Sequence, residues 1–147
     1  IVVGDAMRQF SSIMDEVFNS SIQLHEKIYA FVERYTDFLL SNPFVPIFII
    51  NEAQVNADRI DQMLDNQDKV ELLQNQLKDL EEQGVIRPTS IADFMMNMVS
   101  LTVFPIISKP LIMKKLSVKP EEYAALLAQR KQLVPEMIIN YMYLKKP

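Results

Sequence analysis

Apolar residues recur every three or four positions along nearly the whole chain, which is the spacing of one face of an α-helix. In the clearest segment they step by 4, 3, 4 and 3 residues, through Leu24, Ile28, Phe31, Tyr35 and Phe38. The sequence has no run of strict apolar–polar alternation and no Asn-Gly or Asp-Gly dipeptide of the kind that closes a β-hairpin. It therefore predicts an all-α fold, an antiparallel helical bundle of about six to seven helices.

Polar and proline-containing breaks divide the first part of this pattern into three helices. We expect the first over residues 6–19 and the second from Leu24 to just before Asn42. An Asn-Pro pair favours a helix start, so Asn42 is predicted to cap a third helix with Pro43 as its first residue. This third helix is short and apolar and ends near Ile50.

The second part of the pattern predicts a long fourth helix over residues 58–83, stopped by Gly84. A fifth helix follows, and Ser90 is its predicted N-cap, with an acidic residue three positions on. Pro105 and Pro110 are expected to kink or end that helix, because proline lacks the amide hydrogen of a helical turn.

Composition excludes several classes of function. The chain has 147 residues, of which 49% are hydrophobic, and a net charge of −4, so it suits one core-containing domain and is too acidic to hold DNA by itself. With no cysteine and a single histidine, His25, it offers no disulfide scaffold, thiolate zinc site or two-histidine metal motif. Two glycines are too few for a glycine-rich nucleotide loop. We expect no cofactor, no bound metal and no enzymatic activity.

One acidic row is a candidate cation site. Four aspartates share a predicted helix face at spacings of 3, 4 and 3 residues: Asp58, Asp61, Asp65 and Asp68. Hard cations bind carboxylate oxygens, but a single helix cannot surround an ion. A solvated face near a helix N-terminus, where negative charge is favoured, is the preferred interpretation.

The last helix, which begins at Pro120, carries a heptad stripe typical of helix–helix packing. The stripe comprises Tyr123, Leu127, Arg130, Val134, Met137, Tyr141 and Leu144. It predicts either packing on the chain's own core or, as we prefer, the interface of a homodimer with two-fold symmetry.

Aromatic residues and methionines on several inward helix faces predict either a filled core or a ligand cavity between helices. The candidate pocket residues are Phe31, Tyr35, Phe38, Phe48, Met63, Phe94, Asn97, Met98 and Leu101. Tyr35 and Asn97 are the polar groups among them, and could orient a bound molecule.

Three segments are similar to parts of the regulatory domains of TetR-family transcriptional regulators. They are YTDFLLSNPFVPIFIINE at 35–52, DFMMNMVSLTVFPIISKP at 93–110, and the stretch 128–143 near the end of the chain. The resemblance spans nearly the whole chain, and the order and spacing of the segments support it more than any one of them does.

This resemblance implies that residues 1–147 form one ligand-binding and dimerisation domain. Residues 1–19 would end the helix that joins it to a missing N-terminal helix-turn-helix domain, and the start at Ile1 rather than Met fits a piece of a longer protein. A small apolar effector, a homodimer through the last two helices, DNA contact only through the missing domain, and a cytoplasmic location without membrane contact are the implied properties.

Three other functions stay open on the sequence. The main alternative is a helical protein-interaction or scaffold domain without a small-molecule ligand. A small enzyme using carboxylates would need acidic groups that converge on one cleft. A membrane-surface protein is least favoured, because no helix pairs a Lys/Arg-rich face with an apolar one.

Overall fold

A computed structural model describes residues 2–64 and 67–147 of the chain. In chain order its helices are α1 (Val2–Phe18), α2 (Leu24–Ser41), α3 (Val45–Leu64), α4 (Gln67–Glu82), α5 (Ile91–Ile107), α6 (Lys109–Lys115) and α7 (Pro120–Met142). Over these ranges there are seven helices and no strand, so the predicted all-α helical bundle is confirmed.

Helix α2 is the centre of the bundle and packs against α1, α5 and α7. Its predicted apolar stripe is widened by Val32 and Leu39, both of which are buried. A helix with so wide an apolar face is stable only when neighbours cover it on several sides. In its first half Ile28 and Phe31 have no exposed surface at all.

Two predicted helix ends are confirmed. The hydroxyl of Ser90 accepts a hydrogen bond from the Asp93 amide at 3.0 Å, as an N-cap does. Gly84 follows α4 with φ of +71°, a backbone conformation that side-chain-bearing residues avoid. The amide of Val85 then reaches back to the Leu80 carbonyl at 2.9 Å, which closes the helix end.

The predicted start of the third helix is wrong. Asn42 does not cap α3: its side-chain amide donates to the Phe38 carbonyl at 2.9 Å and so terminates α2. The first residue of α3 is Val45 rather than Pro43. An asparagine can satisfy either helix end, and the carbonyls left free at the end of α2 outcompete the amides of α3 here.

The third helix also continues past Ile50, so its predicted length is wrong. Its polar residues after position 50 form a solvent-facing surface instead of a break. Asn56, with φ of −151° and ψ of 83°, interrupts α3, and its side chain accepts a hydrogen bond from the Arg59 amide at 3.1 Å. Asn56 is thus the N-cap of a second helical stretch, which matches the start predicted near Asp58.

The predicted fourth helix is divided between two elements. Residues 58–64 belong to the end of α3, and Gln67–Glu82 form α4. Between them lie positions 65 and 66, outside the described residues, so one member of the aspartate row, Asp65, is not placed.

Pro105 does not end α5, which runs on to Ile107, and Pro110 lies in the first turn of α6. The axes of α5 and α6 meet at 66°. After α7 the chain pairs with the connector before α5, through the Arg87 amide to the Met142 carbonyl at 2.8 Å and the Leu144 amide to the Val85 carbonyl at 3.0 Å.

Among the described helices, none alone is both long and apolar enough to cross a membrane. Two bent pairs meet the length and composition requirements together, α2 with α3 at 93° and α5 with α6 at 66°.

Candidate functional site

A cavity of about 220 Å³ lies where four helices meet at the C-terminal end of α2. Its described lining residues come from α1, α2, α3 and α5: Met7, Phe10 and Met14; Tyr35, Phe38 and Leu39; Val45, Pro46, Ile49 and Leu64; and Met95 and Val99. All but one of these side chains are wholly apolar, so the cavity suits an apolar occupant.

The kink in α3 produces this space. A straight helix of 20 residues is about 30 Å long, so its two ends could not border one small cavity. The break at Asn56 folds α3, and Val45 near its start and Leu64 at its end both line the cavity. The axes of α2 and α3 also meet at 93°, so α3 leaves the bundle sharply and does not fill the space beside α2.

Aromatic rings form the wall between α1 and α2. The Phe10 ring lies 5.2 Å from that of Tyr35 and 5.9 Å from that of Phe38, in tilted arrangements. Such tilted contacts are favourable for aromatic rings, so they stabilise this wall. Burial raises the pKa of the Tyr35 hydroxyl well above its usual value, so the group stays protonated at neutral pH.

The structure separates the predicted pocket residues into three groups. Tyr35 and Phe38 line the cavity. Three others, Phe31, Phe94 and Met98, have no exposed surface and belong to the packed core. The remaining four do not line the cavity: Asn97 is exposed, and Phe48, Met63 and Leu101 are half-buried.

The lining residues of α1 were not among the predicted pocket residues. Met7, Phe10 and Met14 share one helix face, which the apolar spacing does indicate. That spacing identifies an inward face but not what the face meets, because packed core and cavity wall have the same residue types.

A second feature is the outer face of α5 and α7, which is apolar and exposed. The α7 residues Leu126, Leu133, Met137 and Tyr141, the following Leu144, and Met96 and Phe104 of α5 are all exposed. A small depression bounded by Asn97 and Tyr141, among others, shows that the outer surfaces of the two helices are adjacent. We call this surface the α5/α7 face.

The predicted heptad stripe is divided between the core and this face. Tyr123, Leu127 and Val134 are buried in the core of the same chain. Met137, Tyr141 and Leu144 are exposed. Successive heptads of a straight α-helix rotate by about 20°, so a seven-residue stripe drifts from one face toward the next.

Arg130, the remaining stripe residue, joins α7 to α5. Its guanidinium donates to the Leu101 carbonyl at 2.9 Å. That carbonyl would accept from residue 105 in an ordinary helix, but Pro105 has no amide hydrogen. Arg130 therefore satisfies an acceptor that the proline leaves free, and burial lowers the pKa of its guanidinium. The Tyr123 hydroxyl adds a bond to the Pro105 carbonyl at 2.8 Å.

The other polar features of the molecule do not converge on a reactive centre. A groove of about 400 Å³ between α1 and α2, lined by Arg34 and Asp37 among others, is wide open to solvent. The buried Nδ1 of His25 has no hydrogen-bond partner among the described residues. The centre of its ring lies 6.1 Å from that of the Tyr143 ring, in an edge-on arrangement. Within ranges 2–64 and 67–147, no three His, Asp or Glu side chains are grouped as metal ligands would be.

Comparison of the chain with family models, with curated proteins and with solved structures finds no match.

Proposed function

We propose that this chain is the ligand-sensing and dimerisation domain of a transcriptional regulator similar to the TetR family. In this proposal the cavity binds a small apolar effector, and DNA is bound by a segment that precedes α1. The observation that carries the proposal is the share of α1 in the cavity wall: Met7, Phe10 and Met14 of the N-terminal helix all line it.

The position of α1 provides a route from effector to DNA. A molecule in the cavity contacts α1 on one side and α2, α3 and α5 on the other, so it favours the arrangement of α1 that leaves room for it. An effector changes an equilibrium only by its different affinity for the two states. A shift of α1 would move whatever precedes it in the chain, and the spacing of two DNA-binding units in a dimer would change with it.

The α5/α7 face is the proposed contact with a second copy of this chain. The two helices have 17 and 23 residues, so side by side they form a surface roughly 25–35 Å long and 20 Å wide. This size is comparable to the roughly 800 Å² that each partner contributes to a standard interface. Aromatic residues and methionine, which are enriched at such interfaces, are present on this face as Phe104, Tyr141 and Met137.

Binding of cumene (isopropylbenzene) tests the effector site, since this apolar molecule fits a cavity of the observed size. Isothermal calorimetry should detect saturable binding to the wild-type chain. Val99→Phe places a larger side chain in the cavity and should abolish binding, whereas Val118→Phe, on a half-buried valine outside the lining, should not. Absence of cumene binding to the wild-type chain would overturn the effector site and favour a scaffold domain without a ligand.

Light scattering tests the dimer. The proposal predicts a particle of twice 17.0 kDa at micromolar concentrations. The double variant Leu133→Glu with Met137→Glu should give 17.0 kDa with unchanged helix content, because both residues are exposed in one protomer. A control pair, Val55→Glu with Leu72→Glu, charges exposed apolar residues elsewhere and should leave the dimer intact. A wild-type mass of 17.0 kDa would rule the dimer out.

A further inference from the structure

The described part of the cavity wall has a single polar side chain. Of the twelve lining residues that the structure describes, only Tyr35 has a side-chain oxygen or nitrogen, and none is charged. The residues 2–64 and 67–147 give the Tyr35 hydroxyl no hydrogen-bond partner, and its oxygen keeps some accessible surface. The Tyr35 side chain is itself almost fully buried, and the Phe10 and Phe31 rings hold it at 5.2 and 5.0 Å.

This wall selects against charged molecules. Moving a carboxylate or an ammonium group out of water without a partner of opposite charge is strongly unfavourable. The described lining residues supply no lysine, arginine, aspartate or glutamate to compensate. A ligand of this cavity is therefore uncharged.

The hydroxyl selects for one polar atom. A hydroxyl at an otherwise apolar wall is stabilised by a hydrogen bond to a ligand oxygen placed against it. The other described lining side chains are aromatic or aliphatic and offer no second partner. A ligand with further polar groups would lose their hydration without replacement.

The volume limits the size of the ligand. A dry cavity of roughly 150 Å³ holds a benzene ring, so a cavity of 220 Å³ holds on the order of nine non-hydrogen atoms. Met7, Met14 and Met95 line it, and their unbranched side chains can adapt to different ring substituents.

We propose that the cavity binds an uncharged, single-ring-sized molecule with one hydrogen-bond acceptor, such as a ketone or ester oxygen, held by the hydroxyl of Tyr35. The proposal rests on the effector site proposed above and specifies the class of its ligand.

Three probes of the same size separate the possibilities: acetophenone with a carbonyl acceptor, cumene without a polar atom, and benzoate with a negative charge, each of about nine non-hydrogen atoms as the cavity requires. Calorimetry at pH 7 should show binding of acetophenone and cumene. Benzoate should bind at least tenfold more weakly than acetophenone.

The variant Tyr35→Phe removes the donor and keeps the ring. It should weaken acetophenone about three- to tenfold, as loss of one neutral hydrogen bond does, and leave cumene within about twofold. Tyr29→Phe, on a half-buried tyrosine of α2 outside the lining, is the matched control and should change neither affinity.

An infrared measurement on the wild-type chain gives an independent readout. The carbonyl stretch of bound acetophenone should fall below its frequency in cyclohexane, because a hydrogen bond weakens the C=O bond. This result does not depend on how well Tyr35→Phe folds.

The outcomes distinguish the two proposals. If acetophenone and cumene bind but Tyr35→Phe changes neither affinity and the carbonyl frequency is unshifted, the ligand class is wrong and the effector site stands. Benzoate binding as tight as that of acetophenone would also overturn the ligand class. If cumene does not bind the wild-type chain, the effector site fails and its ligand class fails with it.

Discussion

The two halves of α2 face different surroundings although their sequences are alike. Ile28 and Phe31 in its first half have no exposed surface and pack into a solid core with Phe94 and Met98 of α5. Tyr35 and Phe38 in its second half border the cavity. Both halves present aromatic and aliphatic residues at helical spacing, so the difference arises from their neighbours.

Three long helices, α1, α5 and α7, run beside α2. The cavity beside the second half is also bordered by α3, which leaves α2 at 93° and is interrupted at Asn56. A bent and interrupted helix cannot cover its neighbour as completely as a straight one. Binding space in this bundle is therefore a consequence of helix breaks rather than of special side chains.

The largest expected effect comes from comparing a phenylalanine in the solid core with a phenylalanine that borders the cavity. Phe94→Ala leaves a void in the solid core and should lower the free energy of unfolding by roughly 3–5 kcal/mol. Phe10→Ala, beside existing space and half-buried, should lose less than half as much. Urea unfolding of both variants measures the difference, and equal losses would mean that the two ends are packed alike.

Replacing a valine by phenylalanine, once in the solid core and once at the cavity, gives a second comparison of their packing. Val32 is buried in the solid part of α2, so Val32→Phe overpacks the core and should destabilise by about 1–3 kcal/mol. Val99 lines the cavity, which has room for a larger side chain, so Val99→Phe should change the free energy of unfolding by less than about 1 kcal/mol. Thermal unfolding of the pair tests this, and a larger loss for Val99→Phe would contradict the cavity.

A smaller effect concerns the polar link between α5 and α7 on the solid side. Arg130→Met leaves the Leu101 carbonyl without its donor and should cost about 1–2 kcal/mol of stability. Adding Pro105→Ala restores an amide hydrogen for that carbonyl, so the double variant should recover most of the loss. Denaturant unfolding of the single and double variants forms a cycle, and additive losses would show that Arg130 does not compensate for the proline.

The smallest effect is the pH dependence from Lys27. Its ammonium group donates to the Phe18 carbonyl at 3.3 Å and to the Gln76 side-chain oxygen at 3.1 Å, and burial lowers its pKa. The unfolded chain then binds the proton more strongly, so this residue penalises folding at neutral pH. The penalty fades as pH rises toward 10.5, the ordinary lysine pKa.

Lys27→Met should therefore flatten the alkaline part of the stability profile relative to wild type. The comparison variant Lys78→Met, on an exposed lysine, should leave the shape unchanged. Unfolding free energies measured from pH 7 upward provide the test. A wild-type profile parallel to that of Lys27→Met would show that burial of Lys27 is not coupled to folding.

The sequence predicts the inward helix faces correctly, but it mispredicts the start and the length of α3. Periodicity identifies the inward faces of α1, α2, α5 and α7, because burial of an amphipathic helix depends on its own residues. The role of Asn42 and the length of α3 are mispredicted, because an asparagine or a polar stretch suits more than one local structure.

The cavity is the least predictable part. Tyr35 and Phe38 are in the predicted set and line the cavity. Phe94 directly precedes the lining residue Met95, and Met98 follows it by one helical turn, yet both are fully buried in the packed core. Whether an inward residue meets a neighbour or a space depends on the angle between α2 and α3. That angle is a property of the assembled bundle, and the spacing of apolar residues does not predict it.

The methyl resonances of the nine methionines provide the most direct test of the cavity. With ¹³C-labelled methionine methyl groups, titration with cumene should shift the signals of Met7, Met14 and Met95, which line the cavity. The signals of Met113 and Met137 should stay in place. Unshifted signals for the three lining residues, or shifts spread evenly over all methionines, would contradict a binding cavity between α1, α2, α3 and α5.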